Sequence, residues 1–195
     1  MKEFPLVAVP HPLLLIRHGE TVWNRSGRLQ GSQNSPLTET GRKQARQLGR
    51  DLAVLREGLG PHRVFCSPLG RAQETSRLAL GDEAFVTDAR LAEIGCGDWE
   101  GTTDAERRLL APRISAIHNE EFDRYTNAPG GEGLAALVRR LAAFLNDLDG
   151  PAVIFSHMVA LTTLRAMTSG GQPVLSTRMA PKQGEILRIA PQERV

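Results

Sequence analysis

The sequence predicts an α/β protein, a three-layer α/β/α arrangement around a mostly parallel, mixed sheet. Two observations lead there. Short continuous apolar runs alternate with amphipathic stretches of helical period, the pattern of parallel strands buried on both faces and covered by helices. The residues able to do chemistry stand just past the apolar runs, where such sheets bind ligands. The composition agrees: 195 residues, 41% hydrophobic and 24% charged, are ordinary for a globular chain with a real core. The expected organisation is a single domain over residues 1–195, with a lid or insertion at about 95–131.

Residues 12–17 (PLLLIR) form the first predicted strand, followed by a polar, Gly-rich loop from His18 to Pro36. Thr38 can cap a helix with Glu39 in its first turn. Ala45, Leu48, Leu52 and Leu55 then recur at helical spacing, until Gly58, Gly60 and Pro61 stop it. Residues 64–66 are a second strand. Ser67 and Pro68 fit the cap and first position of a helix carrying Arg71, Ala72, Thr75 and Ala79. Residues 84–87 are a third strand. Between 91 and 133, glycines bracket a helix around 104–118. Leu134, Leu137, Leu141, Leu145 and Leu148 mark an amphipathic helix that Gly150-Pro151 ends. Residues 152–155 are a buried strand, 159–167 a helix and 185–189 a final edge strand.

A net charge of +2 leaves no strong field for nucleic acid or membrane, and Trp23, Trp99 and Tyr125 are too scattered for base stacking. Arg outnumbers Lys 21 to 3; arginine forks suit carboxylate and phosphate, and a high-GC coding bias explains the same excess. Cys66 and Cys96 have neither CxxC spacing nor His partners, so no disulfide framework and no metal site is expected. They read as free thiols of a cytoplasmic protein. The apolar N-terminal stretch is broken by prolines and His11 and does not read as a signal peptide. His11, His62 and His118 have no partners at ligand spacing.

Three strand ends carry the chemistry. Arg17-His18-Gly19-Glu20-Thr21 follows the first strand. The imidazole could be nucleophile, general base or metal ligand; Arg17 beside it disfavours a cation and favours an anion. An ordinary core histidine is the competing reading. Arg71, one turn into its helix, can reach the same place, or lie on a solvated face. Ser156-His157 ends another strand and adds a second imidazole if the two strands are neighbours. Such an anion pocket needs an acid for the leaving group. Glu93, in Leu91-Ala92-Glu93-Ile94-Gly95, is the best placed carboxylate, because a Glu held among apolar residues suits a general acid.

Taken in order, these segments resemble the histidine phosphatase superfamily, in the branch with cofactor-dependent phosphoglycerate mutases and the fructose-2,6-bisphosphatase domain. The resemblance rests on Arg17 to Thr21 with Trp23-Asn24, Pro36-Leu37-Thr38 with Gly41 and Gln44-Ala45, and Ser67-Pro68 with Arg71-Ala72 and Thr75. It continues through Leu91-x-Glu93 with Gly97-x-Trp99-Glu100-Gly101, Gly130-Gly131-Glu132, and Ser156-His157, and spans roughly Leu13 to Leu164. It implies a phosphoglycerate mutase-like fold. It implies that His18 becomes phosphohistidine, that Arg17, Arg71, His157 and Asn24 hold the phosphoryl group, and that Glu93 protonates the leaving oxygen. No metal or other cofactor is implied.

The chain departs from that pattern at three places: Met158 stands where Gly is usual after the second His, Gly133 where Ser or Thr follows Gly-Gly-Glu, and Asn34 where Asp is common. The short stretch from Leu91 to Gly131 points to an open site with water as acceptor. The expected function is therefore hydrolysis of a small phosphate ester. A phosphoglycerate mutase-type transfer between substrate hydroxyls, and a catalytically weak member binding a phospho-ligand or a protein, are the alternatives.

Overall fold

The structure, a computed structural model, describes residues 5–110, 121–168 and 181–191. Its strands and helices follow one another as β1 (Leu13–Arg17), α1 (Val22–Arg25), α2 (Glu39–Arg56), β2 (Arg63–Cys66), α3 (Gly70–Leu80) and β3 (Val86–Thr87). Then come α4 (Asp104–Leu110), α5 (Glu121–Thr126), α6 (Leu134–Asn146), β4 (Ala152–Ser156), α7 (Met158–Thr168) and β5 (Ile186–Ile189). Two short 3₁₀ turns, Ala89–Leu91 and Gly97–Trp99, lie between β3 and α4.

The strands form one sheet in the order β3-β2-β4-β1-β5. All neighbours are parallel except β5, which runs antiparallel along β1 with Leu13 opposite Ile189. Alternation along each strand assigns side chains to two faces. Leu13, Leu15, Phe65, Ala152 and Ile154 pack with α6 and α7 through Leu137, Leu141, Phe144, Val159, Leu161 and Leu164. Leu14, Ile16, Val64, Cys66, Val153 and Phe155 pack with Leu48, Leu52 and Ala72 of α2 and α3. The continuous apolar runs are thus strands buried on both faces. Phe65 meets Phe144 edge-on, ring centroids 5.2 Å apart, a favoured aromatic geometry.

Thr38 caps α2 as expected, its hydroxyl accepting from Gly41 N at 3.0 Å. Gly41 lies at a close approach: a Cβ there would fall 2.1 Å from Glu20 O, and one on Gly19 would fall 2.4 Å from Gly41 O. The two glycines let the loop after β1 press on the start of α2, which anchors the backbone beside His18. The predicted periodicity of α2 runs one step too far, because Leu55 is exposed.

Two further expectations are corrected. Helix α3 begins at Gly70 rather than Pro68, and its cap Leu69 supplies no side-chain hydrogen bond. Ser67 is instead spent on Leu69 N and on His157, and residues 67–69 stay outside the helix. The third strand shrinks to Val86–Thr87, exposed at the sheet edge. Helix α4 is described only to Leu110; the remainder of the predicted helix, with His118, lies outside the described residues. Helix α6 lacks a side-chain cap, as expected from Gly133, which holds φ 75° and ψ 154°. That conformation is essentially restricted to glycine. No described helix is long and apolar enough to cross a membrane.

Candidate active site

The carboxyl ends of β1, β2 and β4 gather the predicted residues. Arg17 lies opposite Ser156 in the parallel β1–β4 register, so the next residue on each strand, His18 and His157, share one level. Their rings are 5.2 Å apart between centroids and tilted by 53°. Strand adjacency, which sequence alone leaves open, is what joins them.

His18 is 3% exposed. Its Nδ1 lies 2.8 Å from Gly19 O. A carbonyl only accepts, so Nδ1 carries the proton and Nε2 the lone pair. Arg71 Nε donates to that lone pair at 3.3 Å. Burial, followed by the charges of Arg71 and Arg17, holds the imidazole pKa well below its usual value, against the opposing pull of the Gly19 carbonyl. At neutral pH the ring is uncharged, the form whose second nitrogen carries a lone pair.

Arg71, in the first turn of α3, is fixed on several sides. Its Nη1 donates to Gln33 O at 2.5 Å, its Nη2 to Gly31 O at 2.9 Å, and its backbone N–H to Asn34 Oδ1 at 2.8 Å. Burial lowers its pKa to about 10, with Glu93 and Tyr125 working the other way; it stays cationic at neutral pH. Asn34, the departure from the usual Asp, therefore takes the second amide of α3. Arginine side chains make the cationic side of the pocket. Thr75 Oγ, one turn on, donates to Arg71 O and accepts from Gly19 N at 3.0 Å, tying α3 to the loop after β1.

His157 is fully buried. Burial and the nearby Arg71, His18 and Arg17 lower its pKa well below the usual value. Its Nε2 lies 2.7 Å from Ser67 Oγ, and its Nδ1 has no hydrogen-bond partner among the described residues.

Glu93 is buried at the start of α7. Its carboxylate accepts from Ile94 N at 3.1 Å, Val159 N at 3.1 Å and Ala160 N at 3.0 Å. The backbone carrying it is held by Ser156 Oγ, which donates to Leu91 O, and by Arg140, which donates to the carbonyls of Arg90, Ala92 and Glu93. Glu132 of the Gly-Gly-Glu segment orients Arg140 through a two-point ion pair. A sequence motif with no chemistry of its own thereby places the carboxylate.

Arg17 and Asn24 line a cavity of about 440 Å³ beside these residues, a size suited to a small ligand. Arg28, Arg107, Arg124, Tyr125, Met158 and Gln183 complete much of its wall. Arg28 pairs with Glu106 at 2.9 Å and Arg124 with Asp104 at 2.6 Å. The lining carries four arginines against one aspartate, so it favours an anion. Met158 is 6% exposed and forms part of both this wall and the core. Asn24 Oδ1 accepts from Thr21 N, Thr21 Oγ and Gln183 Nε2 at 3.1, 3.0 and 2.7 Å, which leaves its Nδ2 as the donor for a ligand. Gln183, Ser67 as a His157 partner, and the wall arginines 28, 107 and 124 were not singled out from sequence. A polar side chain in a terminal loop carries no periodic or spacing signal. Among the described residues no cluster of three or more His, Cys, Asp or Glu is placed to hold a metal.

A model of the histidine phosphatase superfamily, branch 1, matches residues 13–194. The chain belongs to this superfamily. It is 34% identical over 194 residues to the "probable phosphoglycerate mutase GpmB" of Yersinia enterocolitica, covering 93% of this chain and 85% of that one. It is 31% identical over 166 residues to phosphoserine phosphatase 1 of Hydrogenobacter thermophilus, covering 78% and 73%. The solved alpha-ribazole phosphatase of Shigella flexneri superposes with a TM-score of 0.76 at 30% identity, over 91% of this chain and 89% of that one. The five-stranded, mostly parallel sheet with flanking helices is thus the fold of a histidine phosphatase superfamily member, as the sequence predicted. Mutase and phosphatase names both occur among its relatives, so phosphoryl chemistry is common ground and the acceptor is not.

Proposed function

We propose that this member of the superfamily is a phosphomonoesterase acting on a small phosphate ester through a phosphohistidine on His18, without a metal ion. The observation that carries the reading is His18 itself: a buried, neutral imidazole whose Nδ1 proton is committed to Gly19 O, leaving the Nε2 lone pair toward Arg71. Nε2 attacks phosphorus, the ester P–O bond breaks, and Glu93 gives its proton to the leaving oxygen. Water then attacks the phosphohistidine, its proton passing to Glu93 and inorganic phosphate departing with the P–N bond broken. Arg17 and Arg71 neutralise the charge of the phosphoryl oxygens, and His157 and Asn24 hold them as uncharged donors. The cavity lined by Arg28, Tyr125, Met158 and Gln183 takes the rest of the ester, and its arginine excess favours a leaving group that is itself acidic.

The reading is tested by p-nitrophenyl phosphate hydrolysis in EDTA. Wild type should turn over, His18→Ala should not, and acid-labile, base-stable label should appear on His18 after quenching with labelled substrate. Turnover surviving in His18→Ala, or vanishing on chelation, refutes it. Arg71→Ala should lose both inorganic phosphate binding and turnover. The mutase-named relatives favour a second reading, transfer to a substrate hydroxyl. It would show as phosphoryl exchange between phosphoglycerate isomers outpacing release of inorganic phosphate.

A further inference from the structure

Ser67 looks at first like a helix cap, yet α3 starts three residues later and its hydroxyl serves elsewhere. Ser67 and His157 are both fully shielded from solvent, so their hydrogen bonds must be met inside the protein. Ser67 Oγ accepts from Leu69 N at 3.2 Å and stands 2.7 Å from His157 Nε2. A hydroxyl has one proton and two lone pairs. If Nε2 carried the imidazole proton, both contacts of Ser67 would be accepted bonds, and its own proton would be buried with no acceptor. If Nε2 carries the lone pair, Ser67 O–H donates to it and every group of the serine is satisfied. The imidazole proton then stands on Nδ1, the one polar atom of His157 with no partner. The neutral state of His157, held by burial and four neighbouring cationic or imidazole groups, makes the choice between tautomers a real one.

We propose that Ser67 is a positioning residue that fixes His157 in its Nδ1–H tautomer, so that a buried donor is directed to a phosphoryl oxygen. The step to phosphoryl binding rests on the function proposed above; the tautomer itself does not. Across the site the two imidazoles are then set in the same sense by different partners. Gly19 O holds the proton on His18 Nδ1 and so frees Nε2 as nucleophile, while Ser67 O–H holds the lone pair on His157 Nε2 and so frees Nδ1–H as donor. A serine at this place does what a carbonyl could not, since a carbonyl would accept from Nε2 and select the opposite tautomer.

The tautomer is read directly from ¹⁵N shifts and couplings of the His157 ring in the unaltered protein. Protonated Nδ1 with unprotonated Nε2 is expected, and protonated Nε2 overturns the proposal. In Ser67→Ala the Nε2–H form should gain population, and inorganic phosphate, measured by calorimetry, should bind about 10- to 100-fold more weakly. Ser67→Thr, which keeps the hydroxyl, should restore both the ¹⁵N pattern and the affinity. An Ala variant that is folded by circular dichroism and keeps wild-type tautomer and affinity refutes the role. If Ser67→Ala fails to fold, the wild-type and Thr spectra still decide. Loss of p-nitrophenyl phosphate turnover in the wild type would sink the phosphatase reading, while the tautomer result would stand or fall by itself.

Discussion

Arg140 and Glu132 meet in a two-point ion pair, Nε to Oε1 at 2.6 Å and Nη2 to Oε2 at 2.9 Å, and Arg140 spends its remaining reach on the carbonyls of Arg90, Ala92 and Glu93. One guanidinium therefore ties α6 and the Gly-Gly-Glu segment to the strand of chain that carries Glu93. Lysine cannot copy this, because it lacks the planar fork. Arg140→Lys should cost about tenfold in turnover on alkyl phosphates, a fraction of the about 10²–10⁴ a placed acid supplies, and much less on p-nitrophenyl phosphate. Its leaving group needs little protonation. Equal losses on both substrates would remove Arg140 from the positioning of Glu93.

Met158 stands in the pocket wall where the family resemblance has Gly. Replacing it with Gly removes a buried side chain from the first turn of α7, at an expected cost of about 2–5 kcal/mol in unfolding free energy. Bulkier phosphate esters should gain in kcat/KM relative to small ones. Comparison of aryl and alkyl phosphates on the variant, at a temperature where it stays folded, checks this. An unchanged substrate ratio would place the selectivity elsewhere.

Gln183 holds the carbonyl side of Asn24. Gln183→Ala should let the Asn24 amide turn, raising KM several-fold with little change in kcat, because the contact orients a binding group and not a reacting one. Thr21 keeps two of the three bonds to Asn24 Oδ1, so the effect should stay below about 1.5 kcal/mol, the usual net worth of one hydrogen bond. A fall in kcat alone would contradict this.

His18 and His157 are buried neutral, whereas in the unfolded chain they titrate near about 6.5. Below that pH the unfolded state binds more protons, so the stability they contribute is present above about 6.5 and is lost as pH falls. Each adds a slope of up to about 1.4 kcal/mol per pH unit between about 6.5 and its depressed folded value. Urea unfolding at several pH values between 5 and 8 should show this slope, flattened in a His18→Gln, His157→Gln double variant. Parallel slopes in the two proteins would show that these rings are not buried neutral.

The two cysteines illustrate how far residue type alone reaches. They read as free, buried thiols, and they are, with burial pushing Cys66 up to about 12 and Cys96 higher still. Both should resist iodoacetamide in the folded protein and react on unfolding in urea; labelling of the native protein would contradict this.

Strands, the long helices and the order of motifs were legible because hydrophobic period and capping chemistry act over a few residues. Leu13 to Ile16, Thr38 and the leucines of α6 announce themselves that way. The histidines, Arg71 and Glu93 were legible as candidates through their place after strands and their resemblance to a family. Their union was not. It depends on β4 inserting between β1 and β2, which sets Ser156 beside Arg17, and on through-space partners such as Ser67, Asn34, Arg140 and Gln183. Such contacts join distant positions through single hydrogen bonds, which leave no period in a chain. Local order is written in neighbouring residues, whereas tautomer, pocket width and the seat of a carboxylate are decided only when burial removes water and each polar group must find its partner within the fold.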